Sequence, residues 1–260
     1  MIGSIIILFI IVSLVIISTP SIYSQNTELA ISKAILAHNE NGYYHGEVQT
    51  EGHKTLKIDK IGNNQLKAYC IVSYGEFGFE NSVFTKISGS GAIPTIIILS
   101  KNEFDEYTLS KYEEPEDGES NFKSMLRMFP FYLYPNILKS DKYYSNLLHQ
   151  QEEYAEQYLI SIGREDFVVS GNHIEKTLVT KLGMNVLASN KLLSMFSEYP
   201  YWLGTKETIE DGIRYIYCKD YDNDSHLVTF TKKKEDGTTI EKYVIDTTDG
   251  ELVFLEGIPR

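Results

Sequence analysis

Cysteine, tryptophan and proline are scarce in this chain. Its 260 residues include two cysteines, one tryptophan and seven prolines. Cys70 and Cys218 each sit inside an apolar, β-branched or aromatic run, so they read as buried strand residues rather than a disulfide framework. There is no Cys-x-x-Cys pair, and the first cysteine comes far too late to be the lipidated residue of a bacterial lipoprotein. Also missing is His-Glu-x-x-His, the spacing that sets two histidines one helical turn apart on a zinc ion beside an activating glutamate. Basic residues are outnumbered 24 to 36, giving a net charge of -12, which excludes nucleic acid and anionic membrane surfaces as natural partners. The one basic run, Lys232-Lys233-Lys234, is followed at once by Glu235-Asp236 and reads as a solvated strand end.

Charge is absent altogether from Met1 to Thr19, and Ile5 to Ile17 is apolar apart from Ser13. That length approaches the roughly 20 residues needed to span a bilayer. The absence of a basic leader and the length of the apolar run favour an uncleaved anchor. Small residues at Ser21 and Ser24 keep a second reading open, a signal peptide cleaved after Ser24. Either route exports the remainder. The expectation is a single-pass cell-membrane protein that meets the lipid bilayer through residues 1–19 and holds its C-terminal domain outside the cytoplasm.

Beyond that segment, Glu28 to His38 has helical spacing, with Leu29, Ile31, Ile35 and Leu36 as apolar positions and a stop near Asn41-Gly42. Lys54 to Ile61 and Gln65 to Tyr74 alternate around Gly62-Asn63-Asn64, a hairpin signal. Ala92 to Ser100 and Glu106 to Glu113 extend the pattern to an antiparallel meander. Glu114-Pro115-Glu116-Asp117-Gly118 breaks it, and Ser120 is placed to cap a helix ending near Pro130. Asp141 to Ile162 reads as an amphipathic helix closed by Gly163. A strand is expected within His173 to Lys181, a helix over Val186 to Phe196 and a short helix over Thr205 to Asp211. Four strands follow, at Ile213–Cys218, Leu227–Lys232, Thr239–Ile245 and Glu251–Leu255, with tight turns at Asp236-Gly237 and Asp249-Gly250. The expected class is α+β: a transmembrane helix, then two small units of antiparallel sheet with packed helices, divided as 1–24, 25–163 and 164–260.

Candidate constellations thin out on inspection. His45 and His53 lie near Glu47 and Glu51 and on adjoining strands would share a metal, but they read better as polar residues at the rim of a sheet. Ser120-Asn121-Phe122-Lys123 has the spacing of a penicillin-recognising serine, yet no Lys-Thr-Gly or Ser-Asp-Asn accompanies it. Ser88-Gly89-Ser90-Gly91 lacks the Gly-Lys-Ser/Thr of a phosphate loop. Asp220, Asp222 and Asp224 open like a calcium loop but have Ser225 and Thr231 where glycine and glutamate belong. No cofactor and no catalytic set is expected. Trp202, between Pro200 and Gly204, is the expected exposed contact residue. Ligand or partner contacts are expected at Trp202, Tyr201, His53, Glu51 and Glu76.

Several stretches carry a family likeness. They are Tyr74-Gly75-Glu76-Phe77-Gly78-Phe79-Glu80-Asn81, continuing through Phe84-Thr85-Lys86 to Ser88-Gly89-Ser90-Gly91-Ala92-Ile93-Pro94, then Tyr112-Glu113-Glu114-Pro115-Glu116-Asp117-Gly118, Gln151-Glu152-Glu153 leading to Ser161-Ile162-Gly163-Arg164, and Pro200-Tyr201-Trp202-Leu203-Gly204-Thr205-Lys206-Glu207 with Gly212-Ile213-Arg214-Tyr215-Ile216-Tyr217. Over residues 28 to 256 the chain resembles the extracytoplasmic C-terminal region of clostridial BlaR/MecR-type antirepressor membrane proteins, without their metallopeptidase. The resemblance implies a noncatalytic sensing domain whose partner is a cell-envelope ligand or another membrane protein. A secreted binding or structural module is the alternative.

Overall fold

A computed structural model gives the structure of residues 24–178, 192 and 194–257. The expected membrane segment at residues 1–19 lies outside the described residues, as does most of the helix expected over Val186 to Phe196. Among the described residues no helix is long and apolar enough to cross a membrane. The class is α+β: a large, mainly antiparallel sheet with a few helices packed on it.

Helix α1 (Gln25–Asn39) starts at Ser24, whose Oγ accepts the Thr27 N–H at 3.3 Å. Such a cap satisfies one of the orphan donors of the first turn. The buried face is Ala30, Ile31, Ala34 and Ile35, while Leu29 is exposed. Burying each isoleucine contributes about 1.5–3 kcal/mol. Strands β1 (Val48–Ile61) and β2 (Gln65–Glu80) form the expected hairpin around Gly62, which has a positive φ. β2 is the spine. Leu66, Ala68, Cys70 and Val72 point to α1, while Tyr69 and Ile71 point to the opposite face, so the strand is buried on both sides.

One edge of β2 is lined by β1. Its other pairings are shared by β3 (Val83–Gly89), against its C-terminal half, and β4 (Ile93–Lys101), against its N-terminal half. β5 (Tyr107–Glu113) then pairs with β4. The opposite face carries α2 (Asn121–Met128), α3 (Tyr134–Ile137) and α4 (Tyr144–Ser161), which bring Phe129, Leu133, Ile137 and Leu147 onto Tyr69, Ile71 and Ile96. α4 lies so close to β1 that a Cβ at Gly52 would meet the Leu147 carbonyl oxygen at 2.2 Å. Further along, Ala155 and Leu159 of α4 close over Phe77, Phe79 and Phe84. Ser120 precedes α2 as expected but makes no side-chain capping bond.

After α4, β6 (Val168–Ser170) pairs in parallel with β3, although it follows the boundary expected at Gly163. β7 (Gly204–Glu210), β8 (Ile213–Asp222), β9 (Leu227–Lys234), β10 (Thr239–Asp246) and β11 (Leu252–Gly257) then run as consecutive antiparallel neighbours. They enclose their own cluster of Leu192, Tyr199, Tyr217, Val228, Phe230 and Ile245. β7 is a correction to the helix expected over Thr205 to Asp211: all seven of its residues pair with β8 across Asp211-Gly212. Both turn residues have positive φ, the geometry of the two-residue hairpin turn that Asp-Gly favours. The two expected sheet units are in fact one sheet of eleven strands, joined by the single pair Glu80↔Lys206 between β2 and β7.

Candidate functional site

Beside that single strand pair, the seam between the two groups of strands is built from charge. Glu47, just ahead of β1, receives Arg214 of β8 through both guanidinium Nη atoms, the Nη2 bond being 2.9 Å. Arg214 Nη1 also donates to Glu207 Oε2 of β7 at 2.9 Å, and Arg164 holds both Glu207 oxygens at 2.6 and 3.1 Å. The Phe79 ring lies 3.9 Å from the Arg164 guanidinium carbon and 5.2 Å from that of Arg214. Planar guanidinium groups suit such paired and stacked settings better than lysine does. The Tyr158 hydroxyl donates to Glu47 at 3.2 Å. Burial first, and then the Glu47 charge, push its pKa up to about 12. Glu235 stands at the exposed rim, 3.8 Å from Arg164 and 3.9 Å from Arg214. In the sequence Arg164, Glu207 and Arg214 stand in the family-like stretches and Glu47 near His45, without being joined as a site. A signal was present: arginine occurs four times in the whole chain, and two of the four form this seam.

His53 and Glu51 are brought together, with Glu28 of α1 as a third member. His53 Nδ1 is 2.9 Å from Glu51 Oε2 and Nε2 is 2.9 Å from Glu28 Oε2. Burial alone would lower the imidazole pKa, but the Glu51 charge and the hydrogen bonds of both carboxylates outweigh it and raise the value to about 10. Both nitrogens therefore donate, and neither is left to take a proton or a metal. The triad ties α1 to β1, and the His53 backbone N–H donates to Gln150 of α4 at 3.0 Å. His45 does not join it. It lies 3.8 Å from Glu76 and is mostly exposed. Among the described residues no group of three or more His, Cys, Asp or Glu is arranged to hold a metal ion.

Glu76 is buried and accepts hydrogen bonds from the Tyr74 hydroxyl and from the Gly46 N–H at 3.0 Å. On the neighbouring strand, Lys86 is buried, and among the described residues no carboxylate pairs with it. Its Nζ donates to the Ser90 carbonyl at 2.9 Å and lies 3.5 Å from Ser73 Oγ. Gln151 Nε2 donates to the same Ser73 oxygen at 2.8 Å. Burial brings the lysine pKa down to about 8. Space for its stem comes from Gly89, where a Cβ would meet the Tyr74 carbonyl oxygen at 2.2 Å and Lys86 Cε at 2.6 Å. The Ser88-Gly89-Ser90-Gly91 stretch is thus an inter-strand clasp. Ser73 is fully buried, so the lysine and serine are out of reach of a substrate.

Trp202 corrects the expectation of an exposed contact. It is 4 % exposed, whereas Tyr201 beside it is 55 % exposed. The Lys176 ammonium covers the Trp202 ring at 4.0 Å from the centroid while pairing with Glu80 at 2.8 Å, and Leu203 bridges to Thr177. These partners are distant in sequence, which is why the flanking Pro200 and Gly204 suggest a loop. Lys232 is a second correction. Rather than solvated, it is 3 % exposed, 2.8 Å from Glu210, with its ammonium over Tyr215 and Tyr217. Ser120 and Lys123 are both exposed. Asp222 caps its own turn by accepting the Asp224 N–H and the Ser225 hydroxyl. A cavity of about 210 Å³ opens between Ala92–Pro94 and Glu114–Asp117, below the usual volume of a small-molecule site.

No protein-family model, no curated protein and no solved structure matches this chain.

Proposed function

We propose that the chain is a noncatalytic, extracytoplasmic sensor-type interaction domain, held at the membrane by residues 1–19 and acting in a BlaR/MecR-like signalling context. The observation that carries this reading is the seam. Two groups of strands with separate apolar clusters meet through one strand pair and the Glu47–Arg214–Glu207–Arg164 network. A ligand that favours one arrangement of such a joint over another would shift its population. The resemblance of the quoted motifs to the antirepressor tail supports the same reading.

The alternative is a secreted module released after Ser24. Against it stands the Ser24 cap: cleavage there would remove the oxygen that caps α1 and leave a positive amine at the helix start, a loss of about 1 kcal/mol. The test uses full-length protein in lipid nanodiscs, to which cell-wall fragments or solubilised membrane proteins are added. Cys70 and Cys218 are free and buried, one on each side of the seam, so their thiol-labelling rates report each side separately. A sensor domain changes the labelling of Cys218 relative to Cys70 while the added fragments keep their mass. Consumption of the fragments would overturn the noncatalytic reading. Protein starting at Gln25 in the culture medium would overturn the tether.

A further inference from the structure

The sheet treats its edges unequally. β1, whose outer edge pairs with no strand among the described residues, carries Lys54, Lys57 and Lys60 and a bulge between Thr55 and Lys57. β5 is short and holds Lys111 and Glu113, and β6 has three residues. Lysines, bulges and shortness are the usual defences against edge-to-edge pairing. β11 ends the sheet on the other side. It has six residues and its register against β10 shifts between Leu252 and Phe254. Unlike β1 and β5 it carries no lysine, and Leu252, Val253, Phe254 and Leu255 are 50, 59, 47 and 41 % exposed. Because alternate residues of a strand face opposite ways, both faces of this edge are apolar.

We propose that β11 is a docking edge that takes up an extended segment of a partner polypeptide, one with alternating apolar residues framed by lysine or arginine. The charge pattern selects that occupant. From Asp246 to Gly257 the chain carries Asp246, Asp249, Glu251 and Glu256, against one lysine on the adjoining strand, Lys242, which is paired in register with Glu256; the balance is acidic. A second copy of the chain fits badly. The antiparallel register that matches the four apolar residues with one another sets Glu251 of one copy opposite Glu256 of the other, and like charges directly opposite destabilise a strand pair. Strand addition supplies main-chain hydrogen bonds for affinity and alternate side-chain positions for selectivity, so an acidic frame around an apolar centre reads a basic frame around an apolar centre. This surface stands apart from the seam and survives or falls independently of it.

Two synthetic probes test the proposal on the full-length protein: a valine–threonine heptapeptide with lysine at each end, and its twin with glutamate at each end. Binding is followed by fluorescence anisotropy, and its place by hydrogen exchange. The expected result is protection of the amides of Leu252–Glu256, with the lysine-framed peptide binding at least about tenfold tighter and weakening as salt rises. Val253→Pro abolishes binding. Val253→Lys, which gives β11 the same defence as β1 at an exposed position, abolishes it without altering thermal unfolding. Equal affinity for the two peptides, or protection elsewhere, overturns the proposal. Protection of the same amides that rises with protein concentration alone also overturns it, because the occupant would then be a second copy.

Discussion

Glu47 and Arg214, 167 positions apart in the chain, face each other through two hydrogen bonds at the seam of the sheet, with both side chains nearly buried. Arg214 is shared with Glu207, which in turn holds Arg164. The joint is therefore a network, and its members are expected to be non-additive.

Among the described residues Arg214→Met leaves the buried Glu47 carboxylate only the Tyr158 hydroxyl as a partner, and removing one partner of a buried pair costs about 3–5 kcal/mol. Adding Glu47→Gln restores part of that loss. A double-mutant cycle in urea denaturation should give a coupling of about 1–3 kcal/mol. Additive single losses would show that the pair contributes nothing to the joint.

His53 makes stability depend on pH in a definite direction. Its folded pKa of about 10 stands above the ordinary 6.5, so the stabilisation is complete below the lower value and is lost as pH climbs toward the higher. Lys86, held at about 8 against an ordinary 10.5, acts the other way. The folded state disfavours its charge, and that cost is relieved as pH rises from 8 toward 10.5. The informative quantity is thus the parent minus His53→Gln, in which the lysine cancels. Between pH 6.5 and 9 this difference should fall by up to about 1.4 kcal/mol per pH unit. A flat difference in chemical denaturation would mean that the imidazole is neutral in the folded protein.

Gly89 and Gly91 lie two residues apart with opposite demands. Gly89 has φ +144° and no room for a Cβ, while a Cβ at Gly91 would meet nothing within 4 Å. Gly89→Ala should cost about 3 kcal/mol or more, and Gly91→Ala should stay within about 0.5 kcal/mol. Thermal unfolding of the two variants separates these outcomes. Equal losses would remove the reason given for the clasp.

Thiol accessibility should divide the molecule. Cys70 lies in the α1 cluster at the centre of β2, and Cys218 lies on β8 beyond the polar seam. Local opening varies across a structure, and Cys218 is expected to label about tenfold faster than Cys70 under native conditions. Arg214→Met should widen that gap. A single shared rate would show that the sheet opens as one unit.

Local signals in the sequence foretold the local structure. Gly62-Asn63-Asn64, Asp236-Gly237 and Asp249-Gly250 turn where expected, because glycine and asparagine supply the backbone conformations such turns need. β3 escaped notice because its turn, Asn81-Ser82, places two non-glycine residues at positive φ. β7 read as a helix because six polar or β-branched residues show no apolar period, and its strand form comes from pairing with β8. The sequence marks Glu51 and His53 as ligand or partner contacts; in the structure they bond to each other. Arg214, Lys86 and the shielding of Trp202 depend on partners dozens to more than a hundred residues away, and no window along the chain contains them.

The place of β2 bears on how the chain is made. This strand pairs with β1, β3, β4 and β7, but β7 leaves the ribosome long after the others. At about 5–20 residues per second, the roughly forty residues between β6 and Arg214 represent about 2–9 seconds of synthesis. Through that interval the nascent protein presents Phe79 and Glu80 at an unfinished border, with Glu47 still waiting for its guanidinium. Charge at an open strand edge disfavours pairing with a neighbouring chain, and in the finished sheet the same Glu80 and Glu47 are paired with Lys176 and Arg214.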